Sequence, residues 1–166
     1  MEPGAQLTKR LGFAGLGSMG FGMASNLLKA GFSVYGFDVN PTALANFAEL
    51  GGSTSSSIRE ASNGKGKFFV MVATPEQVDS LVFGAAGLCA SLPRSAMLCL
   101  FSTLPPNYVK TLKSRMTSAG RDDLQLMDCP VSGGVVGARA GKLTVRPANS
   151  ISTTELNRWI GHGGRR

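Results

Sequence analysis

The run Gly15-Leu16-Gly17-Ser18-Met19-Gly20 sets three glycines at the spacing that lets a backbone wrap a phosphate group. The first glycine allows a tight turn, the second lets main chain approach a pyrophosphate, and the third lets the following helix pack closely. With 22 glycines in 166 residues, such a triple arises by chance about 0.4 times in a chain of this length, so its surroundings must decide. They do. Leu11 to Gly15 is a short apolar run of buried-strand type, and Met19, Met23, Leu27 and Leu28 follow at helical spacing. The loop therefore leaves a strand and enters a helix, whose first N–H groups and positive dipole end face an anion.

Asp38 is a second, independent signal. It ends the aromatic and β-branched run Phe32 to Phe37, 18 residues after Gly20. A carboxylate there accepts hydrogen bonds from ribose hydroxyls and repels the additional 2′-phosphate of NADP. Val39 stands next to it, where an arginine would argue for NADP. The expected cofactor is NAD, with NADP disfavoured.

The elements that must position these residues follow an alternating pattern. Gly31 closes the first helix, and Asn40 caps a second with Pro41 at its first position and Leu44, Phe47 and Leu50 on one face. Ser53 to Ser57 reads as a polar loop. Phe68 to Ala73 is a continuous apolar strand, and Thr74-Pro75 opens a helix with Val78, Leu81 and Val82 inward. Ala96 to Phe101 and Leu124 to Met127 read as strands around a helix that starts at Pro105-Pro106 and carries Val109, Leu112 and Met116. The expected fold is α/β, a Rossmann-type doubly wound parallel sheet in a single domain.

Composition narrows the function classes. A hydrophobic fraction of 43% with 16% charged residues fits a globular domain. The net charge of +7 raises the question of nucleic acid, but residues 1–142 hold 13 basic against 9 acidic side chains, scattered and without interleaved aromatics. Residues 143–166 hold 4 basic and 1 acidic. No nucleic-acid partner and no membrane span are expected. Cys89, Cys99 and Cys129 lack metal or disulfide spacing and read as buried, reduced thiols; no metal site is expected. The first ten residues carry no readable address, so the expected compartment is cytoplasmic.

The stretch GFAGLGSMGFGMASNLLKAGFSVYGFDVNP resembles the opening of the β-hydroxyacid dehydrogenases, which include 3-hydroxyisobutyrate, tartronate semialdehyde and L-threonate dehydrogenases. A second motif, Asp128-Cys129-Pro130-Val131-Ser132-Gly133-Gly134, is similar to that family's substrate-binding signature, and the likeness continues through VVGARAGKLTV to about Val145. By that resemblance, Ser132, Gly133 and Gly134 bind the carboxylate of a small hydroxy acid. It also makes Val72, Ala73, Gln77 and Thr103 cofactor contacts beside the glycine loop and Asp38. Without the resemblance, Ser132-Gly133-Gly134 is a turn, and Thr74 and Thr103 are helix caps. The wording of the second motif leans towards L-threonate-like substrates.

Family members carry their general acid/base, a lysine, on a long helix that leads into an all-helical second domain. Residues 146–166, RPANSISTTELNRWIGHGGRR, do not match that continuation, and Lys142 is not that lysine. The expectation is a nucleotide-binding domain over residues 1–145 and a divergent, disordered tail over 146–166. No catalytic residue is assigned, His162 is incidental, and no oligomer is expected of this segment. The chain is thus expected to be catalytically incomplete, a truncated form. The alternatives are a non-catalytic NAD-binding or interaction module and a non-functional product.

Overall fold

The computed structural model describes residues 9–147. The expected disorder of the tail, and His162, fall on residues outside that range from position 148 onward.

Six strands form one parallel sheet: β1 (Arg10–Ala14), β2 (Ser33–Phe37), β3 (Ser53–Thr54), β4 (Lys67–Val70), β5 (Met97–Leu100) and β6 (Gln125–Asp128). Their order across the sheet is β3-β2-β1-β4-β5-β6. The helices between them are α1 (Ser18–Lys29), α2 (Pro41–Glu49), α3 (Ile58–Ser62), α4 (Pro75–Phe83), α5 (Leu88–Ser91) and α6 (Pro106–Ser118). Beyond β6, an antiparallel pair, β7 (Val131–Ser132) and β8 (Thr144–Val145), brackets a short helix α7 (Gly134–Ala140). The doubly wound expectation is met, and the chain reverses its direction of winding between β1 and β4.

Strand alternation divides the core in two. Leu11 and Phe13 of β1, Phe69 of β4 and Cys99 of β5 point to one face, joined by Phe101 and Met127 and covered by Met23, Ala24 and Leu27 of α1 and Phe47 of α2. Phe13, Phe69 and Phe101 meet edge to face, with centroids 6.3 and 5.1 Å apart. Phe68, Val70, Leu98 and Leu100 point to the other face, against Ala61, Val78, Val82, Leu112 and Met116. Burial on both faces explains why β4 and β5 read as unbroken apolar runs rather than alternating ones.

Four local expectations differ from the structure. The polar tract after Gly52 is not wholly loop: Tyr35 pairs with Ser53 and Gly36 with Thr54 in a short edge strand. The edge needs only backbone bonding, so its residues carry no apolar signal. Leu50 lies past the end of α2 and is 51% exposed rather than on its inner face. Cys89 is only half-buried, whereas Cys99 and Cys129 are buried; all three are free thiols. Thr103 caps nothing, because α6 begins after Pro105 with no side-chain cap.

Candidate dinucleotide-binding site

The carboxyl ends of β1, β2 and β4 open into a cleft of about 490 Å³ lined by Gly15, Gly17, Asp38, Val72, Ala73 and Gln77, with Phe37, Val39, Met71, Glu76, Ser80 and Leu81. Clefts at the reversal point of a doubly wound sheet are where such folds bind ligands.

Each glycine of the loop has a distinct steric reason. Gly15 has φ +94°, and a Cβ there would lie 2.1 Å from the Met71 carbonyl oxygen at the end of β4. A Cβ at Gly20 would lie 1.7 Å from the Gly15 carbonyl oxygen, so only glycine lets α1 start this close to the loop. Gly17 is the opposite case: nothing stands within 4 Å of the position a Cβ would take. The loop is thus crowded on the protein side at 15 and 20 and open on the cleft side at 17. That is the shape a pyrophosphate requires, since it approaches main chain rather than side chain. No side chain caps α1, and its first acceptor bond is from the Phe21 amide to the Gly17 carbonyl. The amides at Ser18, Met19 and Gly20 therefore have no acceptor within the helix.

Asp38 is half-buried and holds the loop as well as facing the cleft. Its Oδ2 accepts from the Leu16 amide at 2.6 Å, and its Oδ1 from the Asn40 amide at 2.8 Å. A carboxylate offers about four acceptor sites, so two remain for the hydroxyls of a ligand. Leu16 itself is buried at 2% exposure and contributes packing and its tethered amide.

On the opposite wall, Thr74 and Gln77 form a capping box at the start of α4. The Gln77 amide donates to Thr74 Oγ1, and Gln77 Oε1 accepts from the Ala73 and Thr74 amides at 2.8 and 3.2 Å. Gln77 lines the cleft, but its carbonyl oxygen is spent on this cap. The buried Ser102 was not singled out by sequence; its Oγ accepts from the Val72 amide at 3.0 Å and fixes the chain leaving β4. A serine after a strand carries no distinguishing signal. Tyr108 of α6 donates to Asp79 of α4 at 2.8 Å, and Arg115 pairs with the same carboxylate at 2.8 Å, which braces α4.

Ser132, Gly133 and Gly134 are exposed and stand apart from the lining of this cleft, as does the exposed Thr103. Gly133 and Gly134 have φ values of +128° and +61°, and Ser132 pairs with Thr144. Asp128, at the end of β6, is half-buried, and burial pushes its carboxyl above the usual value. Among the described residues no group of three or more histidine, cysteine or acidic side chains could hold a metal ion. No helix among them is long and apolar enough to cross a membrane.

Comparison with known proteins agrees with this geometry. A family profile, the NAD binding domain of 6-phosphogluconate dehydrogenase, matches residues 10–158. An L-threonate dehydrogenase from Cupriavidus necator is 34% identical over 152 residues, covering 90% of this chain and 50% of that protein. A 3-hydroxyisobutyrate dehydrogenase from Pseudomonas aeruginosa is 39% identical over 134 residues, covering 81% of this chain and 44% of its own length. The structure of 3-hydroxyisobutyrate dehydrogenase from Mycobacterium tuberculosis, with L-serine, superposes with a TM-score of 0.81 at 29% identity, over 92% of this chain and 52% of that one. The chain spans about half the length of the curated relatives it matches. Chains of the same fold are known with NADP+ and with NAD+, so the fold admits both. By glycine loop, strand order and profile alike, the chain belongs to the family of the NAD binding domain of 6-phosphogluconate dehydrogenase.

Proposed function

We propose that this chain binds NAD in preference to NADP and serves hydride transfer between that cofactor and a small hydroxy acid. The observation that carries the reading is the open approach at Gly17, flanked by the free amides of α1 and by Asp38. In this reading the Ser18, Met19 and Gly20 amides hold the pyrophosphate, and the two unused acceptor sites of Asp38 take the adenosine ribose hydroxyls. Glu76 on the far wall adds a second carboxylate to the cleft, unfavourable to a 2′-phosphate. Val72 and Ala73 form the wall beside the glycine loop, and Thr103, three residues beyond β5 and outside the cleft lining, is a further cofactor contact by the family resemblance. When bound, the nicotinamide supplies the hydride acceptor or donor.

The Ser132 hydroxyl and the exposed backbone of Gly133 and Gly134 bind the substrate carboxylate. Support comes from the exposure of all three residues and the absence of side chains at the two glycines, and from the relatives' names. The domain extends to about Val145. No side chain of the described residues is assigned the proton transfer, a contribution worth ~10² to 10⁴-fold in rate. The 166 residues alone are therefore expected to bind cofactor and turn over little. An assay of NADH formation with L-threonate and with 3-hydroxyisobutyrate tests this: steady turnover at an ordinary dehydrogenase rate overturns the assignment of an incomplete catalytic set.

A further inference from the structure

The segment Val131–Val145 is held at two points. At one end β7 pairs with β8, Val131 opposite Val145 and Ser132 opposite Thr144. At the other, α7 lies on α1, the helix that carries the phosphate loop. The contact is too close for any side chain at Gly22, where a Cβ would fall 2.9 Å from the carbonyl carbon of Ala138 and from the Arg139 nitrogen. One turn further along α1, Asn26 Nδ2 donates to the Ala138 carbonyl at 2.7 Å and approaches that of Arg139 at 3.5 Å. These are among the last carbonyls of α7; that of Ala138 otherwise accepts only a long bond of 3.4 Å from the Gly141 amide, so Asn26 supplies its shorter one. Gly141, at φ +65°, turns the chain away beneath Asn26. The buried Leu143 then returns under Gly133 and Gly137.

We propose that Asn26 is a positioning residue for the carboxylate loop Ser132–Gly134, acting through its hydrogen bond to the carboxyl end of α7. The proposal rests on the reading of that loop as the carboxylate site. Helix α7 has only two turns, so its orientation is set by its ends. With one end hydrogen-bonded to Asn26 and the other continuous with Gly133 and Gly134, a rotation of α7 displaces the loop directly. Because Asn26 lies on the phosphate-loop helix, the bond also fixes the distance between the two ligand sites. It joins residues 112 positions apart in sequence and is part-buried, where exchange with water is restricted.

The test uses the ¹⁵N-labelled 166-residue chain saturated with NAD and titrated with L-threonate and, separately, 3-hydroxyisobutyrate. In the parent chain the amide signals of Ser132, Gly133 and Gly134 are expected to shift saturably. In Asn26→Ala, and in Asn26→Asp, which keeps the shape but loses the N–H donor, the midpoint should weaken about three- to ten-fold, the worth of one hydrogen bond. Affinity for NAD should stay within two-fold of the parent, on the order of measurement error for a distant site. Parent-like shifts in both variants overturn the role of Asn26 and leave the carboxylate site standing. Loss of NAD binding in both variants also overturns it, by making Asn26 a residue of the whole fold. No shift in the parent, with NAD bound, refutes the carboxylate reading itself, and the proposal falls with it.

Discussion

Asp38 Oδ2 accepts a hydrogen bond of 2.6 Å from the Leu16 amide, tying the end of β2 to the glycine loop of β1. One carboxylate therefore both holds the glycine loop and faces the cleft, where the proposed reading puts the ribose. Asp38→Ala should weaken NAD about 10- to 100-fold, as expected for losing hydrogen bonds to a charged group. Asp38→Arg should not yield an NADP binder as tight as the parent is for NAD, because the loop loses its tether with the repulsion. Calorimetry with both cofactors distinguishes this from a simple charge swap, in which NADP would gain what NAD loses.

The glycines separate fold from binding. Gly15→Ala and Gly20→Ala drive a methyl into backbone carbonyls and should cost about 3 kcal/mol or more, the upper end for overpacking. Gly17, at φ −69° with open space around it, should accept alanine with a stability change within about 0.5 kcal/mol. Yet its methyl enters the approach to the phosphates, so NAD affinity should fall. Melting temperatures and calorimetric affinities of the three variants provide the check; a Gly17→Ala chain with unaltered NAD affinity speaks against the phosphate position.

The capping box on the far wall predicts a different split. Thr74→Ala should destabilise by about 1 kcal/mol through loss of the cap of α4. Gln77→Ala frees the Ala73 and Thr74 amides and should lower both stability and NAD affinity, since the residue serves the cap and lines the cleft. Thermal melts with and without NAD measure the two effects on one sample.

The legible and illegible parts of this molecule differ for physical reasons. Gly15 and Gly20 could be read because backbone stands where their side chains would be, and Gly17 and Asp38 because they keep the fixed spacing of the same fingerprint. The strands β4 and β5 could be read because burial on both faces leaves only apolar side chains. The edge strand Ser53–Thr54 and the α7 unit could not, since backbone pairing and two-turn helices impose little on sequence. Ser102 was missed for the same reason: any small hydroxyl at that place holds the Val72 amide. Gln77 lines the cleft, and its second role, the cap of α4 made by its carbonyl oxygen, is set by the local turn and not by the motif. The pairing of Asn26 with Ala138 spans too much chain for local pattern to reveal.

Asp128 predicts a pH effect. Burial raises its carboxyl pKa above the ordinary 3.8, so the folded state binds the proton more tightly than the unfolded chain. Its contribution to stability is fully present below the unfolded value and is lost as pH rises through the raised folded one. Asp128→Asn should therefore melt higher than the parent at pH 7, with the gap closing on acidification to about pH 3.5. A gap that widens on acidification would show that the ionised carboxylate has a favourable partner.

The central claim is that the cleft between Asp38 and α4 receives NAD. Calorimetric titration of the 166-residue chain with NAD, and in parallel with NADP, tests it most directly. The account predicts saturable 1:1 binding of NAD, weaker binding of NADP, and NAD affinity lower by about 10- to 100-fold in Asp38→Ala. Heats no larger than dilution for both cofactors, from a chain that melts cooperatively, would contradict it.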